Sequence, residues 1–316
     1  MNGKIMLLVP DRTGEALCAW AEEIIGEVSL SFGSSITLVR ERIGQRSRES
    51  WGAALTEETV EACRQCGAVF CGGADAQGLN DLCISLELPL RVREFPEYGE
   101  RSPLTLCHVT DTEPEPLARA VRQAFELAQQ AGKPLMYVCP AGRKAGTDFA
   151  NAVRVCAERT PRVFCQALDP EEMLAAVISH PETLGMLLLP PYLARLAETA
   201  AREMSAVPAF ASEYAVNREI GVYAPVVPEN AALAGQLSPV GTVKCVSRLL
   251  RETMKMENEA DCLDTALENV LRSGWHTLDM PGETPSVAAD AMLKLILEQI
   301  ELAGSFMNKS RALFGR

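Results

Sequence analysis

Short apolar runs alternate along this chain with longer stretches in which apolar side chains recur every three or four positions. Residues 4–10 (KIMLLVP) are a continuous apolar run closed by proline, as expected of a strand buried on both faces. Over 13–26, Leu17, Trp20, Ala21, Ile24 and Ile25 share one helical face. A second strand is predicted at 35–40. The next helix, 56–66, opens on Thr56 as N-cap, with Thr59 a weak partner at the third position, and stops at Gly67. Residues 68–71 form a short apolar strand before Gly72 and Gly73.

The middle of the chain repeats this alternation. Strands are predicted at 104–109, 135–139, 163–168 and 184–189, and helices at 115–131, 148–159, 171–179 and 192–204. Gly132 and Pro134 stop the first of these helices, and Pro170 opens the third. Residues 207–239 read as loop-rich. Three helices follow, at 240–256, 260–273 and 286–303, and the basic tail 308–316 reads as a frayed terminus. Strands alternating with helices in this way predict an α/β fold.

The 316 residues suffice for two ordinary domains or one large bilobed one. Hydrophobic residues make up 47% and charged residues 23%, the balance of a globular protein. A net charge of -12 argues against non-specific nucleic-acid binding and against docking on an anionic membrane. No apolar run approaches the roughly 18 residues that span a bilayer. The run at 5–9 is too short for a signal-peptide core, so a cytoplasmic protein is expected. Eleven cysteines are scattered rather than framed. Cys63 and Cys66 form a C-x-x-C near Cys71, but they sit in a predicted helix without a second pair. His108, His180 and His276 are far apart in sequence. Ordinary reduced thiols are expected.

Four stretches carry a family resemblance. Residues 55–73 (LTEETVEACRQCGAVFCGG) resemble a helix followed by an A-V-L-L-G strand. Residues 117–134 (LARAVRQAFELAQQAGKP) are similar to an R-I-A-R-x-A-F-E-L-A helix. Residues 221–235 (GVYAPVVPENAALAG) resemble G-x-x-E-P-x-H-G-S-A-P-D-I-A-G. Residues 267–279 (LENVLRSGWHTLD) resemble V-L-x-x-G-x-R-T-x-D. In this order and spacing they resemble the pattern of the isocitrate/isopropylmalate dehydrogenase family, the β-decarboxylating dehydrogenases. The resemblance implies two α/β/α lobes with a cleft between them. The first lobe, 1–99 and 207–316, is discontinuous, its sheet completed from beyond residue 207. The second lobe, 100–206, is inserted and carries the dimer interface. The arm expected between about Val109 and Glu115 is missing.

That family oxidises a 2-hydroxy acid with NAD(P) and a divalent metal and then decarboxylates the product. The metal needs hard oxygen ligands. The family's F-G-D-I-L-S-D helix falls on 193–199 here, where Arg195 and Thr199 occupy the two aspartate positions. Asp169 matches a third aspartate, but it also reads as a helix N-cap before Pro170. The substrate-clamping arginine of D-L-F-A-N-L-R-P falls on Glu87, an upstream one near Gln77 and a third near His108. The V-D-K-A-N motif becomes Cys139-Pro140-Ala141-Gly142, with Pro140 at the lysine position. Arg143 and Lys144 just beyond read as an anion cradle or, as such residues more often are, a solvated basic turn. In the cofactor turn, Val227-Pro228 replaces histidine-glycine, and Ala224 and Ala232 replace the acids. The N-terminal G-D-G-I-G-P-E turn is reduced to residues 10–15, with only Asp11 and Gly14 kept.

Residues that act together fail together. The losses imply a non-catalytic relative that acts as a binding or regulatory subunit. It would be a dimer through the helices at 171–179 and 192–204, either with itself or with an active paralogue. NAD and Mg²⁺ are expected of the family, but their motifs are eroded. The alternative is an active NAD(P)-dependent 2-hydroxy-acid oxidoreductase with altered residues. Its polar set would be Asp169, His108, Arg143, Lys144 and Tyr192.

Overall fold

The computed structural model describes residues 2–96, 103–139, 144–204, 210–227, 237–280 and 284–314, without the side chains of 2, 144–147 and 306–314. Its strands are β1 (Asn2–Val9), β2 (Ser35–Arg42), β3 (Gly67–Cys71), β4 (Leu90–Phe95), β5 (Leu104–Val109), β6 (Leu135–Val138), β7 (Cys165–Leu168), β8 (Met186–Leu189), β9 (Ser212–Val216) and β10 (Gly221–Pro225). Its helices are α1 (Arg12–Phe32), α2 (Gly44–Trp51), α3 (Glu57–Cys66), α4 (Leu79–Ser85), α5 (Pro114–Ala131), α6 (Lys144–Arg159), α7 (Pro170–Ser179), α8 (Pro191–Met204), α9 (Val240–Glu252), α10 (Glu257–Arg272) and α11 (Ala289–Phe314). The chain divides into two compact units, residues 1–82 with 217–316, and residues 83–216.

In the first unit, β1 lies between β2 and β3, and β3 also pairs with β10, all in parallel. Ile5, Met6, Leu7 and Leu8 are each 0% exposed. Neighbouring strand residues point to opposite faces, so β1 is covered on both, as its unbroken apolar run requires. β10 reaches β3 from a distant part of the sequence, which makes this unit discontinuous. α1 continues past Gly26 to a left-handed Gly33, because Val28 keeps the buried face going. α3 opens as its sequence predicts, with Thr56 Oγ1 accepting from the Thr59 amide and a left-handed Gly67 at its end. The C-terminal stretch expected to fray is helical as far as Phe314.

In the second unit, β5, β8, β6 and β7 run parallel in that order, while β4 runs antiparallel between β5 and β9. This unit extends beyond 100–206 at both ends because β4 and β9 hydrogen-bond into its sheet. All six residues of β5 are buried, with α5 and α8 both packed against it. α5 carries its buried residues, among them Leu117, Val121, Ala124 and Phe125, on one stripe and ends at a left-handed Gly132.

Residues 207–239 are not simply loop, since they contain β9 and β10. Between these strands, Asn217 Oδ1 accepts from the amides of Glu219 and Ile220, which closes a tight turn.

Candidate functional site

Strand register and helix packing assemble five ionisable side chains in the second unit. Arg91 and Arg93 lie two residues apart on β4 and so share a face. His108 of β5 is the register partner of Arg91, and Glu213 of β9 is the register partner of Arg93. Cross-strand partners project to one side of a sheet, so all four meet there. α8 brings Glu198 to the same place.

Glu213 is the centre of the cluster. Arg91 donates to its Oε1 from Nε, at 2.7 Å, and from Nη2. Arg93 approaches its Oε2 with Nε at 2.9 Å and Nη2 at 2.8 Å. Arg93 Nη1 lies 3.4 Å from Glu198 Oε2, and His108 Nδ1 lies 2.8 Å from Glu198 Oε1. His108 Nε2 is 3.5 Å from Glu213 Oε2. The Arg93 side chain is 1% exposed and that of Glu213 3%. Burial alone would push the Glu213 carboxyl up. Arg91, Arg93 and His108 outweigh that and hold it well below the usual carboxylate range. Arg91 is likewise opposed by burial but kept firmly charged by Glu213.

Among the described residues, His108, Glu198 and Glu213 are the trio whose ligand atoms lie close enough to hold a metal ion, within 4.8 Å of one another. Their surroundings do not suit one. Two guanidinium groups already balance the two carboxylates, and a divalent cation would add two positive charges to a buried cluster.

The inherited metal positions fit no better. Arg195 and Thr199 are both exposed on α8. The Thr199 hydroxyl donates back to the Arg195 carbonyl at 2.9 Å. Neither offers a hard anionic oxygen.

The other sequence candidates fall elsewhere. Asp169 caps α7: Oδ1 accepts from the amides of Glu171 and Glu172, and the Glu172 carboxylate accepts from the Asp169 amide, a complete capping box. Tyr192 lies at the start of α8 and is 40% exposed. Lys144 is the first residue of α6, with its side chain outside the described residues. Arg143, Pro140, Pro228 and Ala232 also lie outside them. Glu87, at the substrate-arginine position, is exposed, has a φ of 56° and pairs with Arg119 at 3.2 Å. Of the three candidates whose side chains are described, His108 enters the buried cluster, and Asp169 and Tyr192 do not. Sequence reasoning missed Arg91, Arg93, Glu198 and Glu213. The signal available was the L-R-V-R-E-F alternation of β4, whose charged positions look solvent-facing until a partner strand is known.

The eleven cysteines form no disulfide with one another. Burial pushes the thiols of Cys18 and Cys83 up to about 12, so neither is poised to react.

No family model matches the chain. Relatives nevertheless align along nearly its whole length. It is 22% identical to a 3-isopropylmalate dehydrogenase of Xanthomonas campestris pv. campestris, across 92% of this chain and 98% of that one. It is 22% identical to the 3-isopropylmalate dehydrogenase of Halalkalibacterium halodurans, across 96% of this chain and all of the other. In three dimensions it is similar to isocitrate dehydrogenase from Methylococcus capsulatus, with a TM-score of 0.81 and 15% identity over 95% of this chain and 99% of that one. It is also similar to a β-decarboxylating dehydrogenase from Thermococcus kodakarensis, with a TM-score of 0.74 and 17% identity over 95% and 96% of the two chains. These structures share its α/β fold, the relatives align with it almost from end to end, and the chain is similar to the isocitrate/isopropylmalate dehydrogenases in both.

Proposed function

We propose that the protein is a non-catalytic member of its family that acts as a binding or regulatory subunit. The observation that carries this reading is the pair Arg195 and Thr199 on α8. The metal of this family polarises the hydroxyl that is oxidised and then the carbonyl that drives decarboxylation, so it must be held by anionic oxygens. A cation and a helix-bonded hydroxyl at those positions do not hold it. Asp169, the remaining match, has its Oδ1 engaged by its own helix. The nearest buried carboxylate on α8, Glu198, is committed to His108 and Arg93.

As a subunit it would pair through α7 and α8, with a second copy or an active paralogue. Ile178 of α7 and Tyr192 and Leu196 of α8 are 44%, 40% and 47% exposed. Tyr192 and Leu196 are four residues apart, so they form one apolar stripe on α8. No helix among the described residues is long and apolar enough to cross a membrane. A cytoplasmic homodimer is the form proposed.

Calorimetry with NAD and with NADP, with and without Mg²⁺ and a malate-type acid, tests the reading. No heat of binding is expected in any combination. Micromolar, metal-dependent binding would overturn it in favour of an active 2-hydroxy-acid oxidoreductase with replaced residues. Sedimentation equilibrium tests the dimer, which Leu196→Glu should dissociate.

A further inference from the structure

One arginine suffices to neutralise a buried glutamate. Here two guanidinium groups converge on a single carboxylate. Arg91 engages one oxygen and Arg93 the other, each through Nε and Nη2. His108 Nε2 stands 3.5 Å from the second oxygen. Arginine forks are also the groups with which proteins recognise a free carboxylate ligand. The basic groups sit on β4 and β5, fixed by register on one sheet face, and β9 contributes only the anion.

We propose that Arg91, Arg93 and His108 form a carboxylate-binding cage of which Glu213 is the built-in occupant. The native chain therefore takes no external carboxylate at this place. The cage becomes a binding site for a small monocarboxylate once the Glu213 side chain is shortened. Glu198 stays behind to partner Arg93 Nη1 and His108 Nδ1, so an incoming monoanion restores the charge balance that Glu213 provided. The shape also matches: Glu213→Ala removes a carboxymethyl group, the size of acetate. Enclosure sets the limit on size, because the Arg93 and Glu213 side chains are 1% and 3% exposed. The existence of this cage does not depend on whether the protein turns over a substrate.

The test is thermal unfolding of Glu213→Ala in sodium acetate against sodium chloride at equal ionic strength, with acetamide as an uncharged mimic. The variant should unfold well below the native protein in chloride. Acetate should raise its midpoint by several degrees and saturably, as a ligand bound only by the folded state does. Acetamide should not. The native protein and Glu213→Gln, which fills the cage, should show no difference between the two salts. An equal midpoint for Glu213→Ala in acetate and chloride would overturn the proposal, as would an equal effect of acetamide. If the variant is insoluble, refolding from urea in each salt reads the same property. Folded protein recovered in acetate alone supports the cage. Equal recovery, or none in either salt, overturns it.

Discussion

Glu213 and Arg93 face each other as a register pair across β9 and β4, with Oε2 2.8 Å from Nη2 and both side chains out of solvent. The pair joins β9 to the unit's sheet through charge as well as backbone hydrogen bonds. Removing one member leaves the other charged in a place where water does not solvate it. Arg93→Met keeps the volume of the stem but strips Glu213 and Glu198 of a shared cation. It should cost about 3 kcal/mol, the low end for breaking a buried pair, because Arg91 still holds Glu213. Urea unfolding should show a lower midpoint with an unchanged slope. Combining it with Glu213→Gln should cost less than the sum of the two changes, since they remove one interaction.

The same pair sets a pH dependence with a definite sign. The folded Glu213 carboxyl titrates below the roughly 4.3 of an unfolded glutamate. Its contribution is therefore fully present above that unfolded value. It is lost as pH falls through the window between the unfolded and folded values. Unfolding free energy measured between about pH 5 and 3 should fall more steeply in the native protein than in Glu213→Gln, which has no proton to take up at that site. Parallel curves would remove Glu213 from the acid response.

Much of the scaffold was legible in the sequence, because strands and helices that build a core write their period into apolar residues. β5, α3 and α5 lie within a residue of their predicted bounds. What was missed had no such signal. β4 hides two arginines on its interior face, so its alternation looks like an exposed edge. β9 and β10 are five residues each and sit in a stretch rich in turn formers. α2 carries so few apolar residues that only Gly44 and Ser47 are buried. For the site, His108 was found because it falls on a family position, whereas its partners come from three other elements that only strand register and helix packing bring together. The resemblance could point to where the family keeps its ligands. It could not show that the buried charges of this chain would neutralise one another instead.

Asp169 separates a cap from a ligand. Its side chain accepts two amide hydrogens at 2.9 and 2.8 Å, and Glu172 completes the box. Asp169→Ala should lower stability by about 1 kcal/mol, the usual value of an N-cap. Asp169→Asn or Asp169→Ser should recover most of that loss, since either can accept from the amides of the first turn. A metal ligand would not be replaced by serine. Addition of Mg²⁺ should therefore leave the melting temperature of native protein and variants unchanged.

Two glycines in the first unit should respond to alanine with opposite signs. Gly72, just after β3, packs its backbone against Gly14 in the first turn of α1. A Cβ there would lie 2.4 Å from the Gly14 carbonyl oxygen and 2.7 Å from its Cα. Backbone cannot swing aside as a side chain can, and the Gly72 amide is also tied to the Leu8 carbonyl at 3.0 Å. Gly72→Ala must push α1 away from the sheet and should cost about 1–3 kcal/mol. Gly26 lies inside α1 on its exposed side, with nothing within 4 Å of where an alanine methyl would sit. Gly26→Ala fills no occupied space and removes the excess backbone freedom that glycine has in the unfolded chain, so it should stabilise by about 0.5–1 kcal/mol. Urea midpoints of the two variants on either side of the native value would confirm that the close approach of helix and sheet requires glycine at position 72. A Gly72→Ala midpoint equal to the native one would show that α1 yields at no cost and that this contact does not constrain the turn.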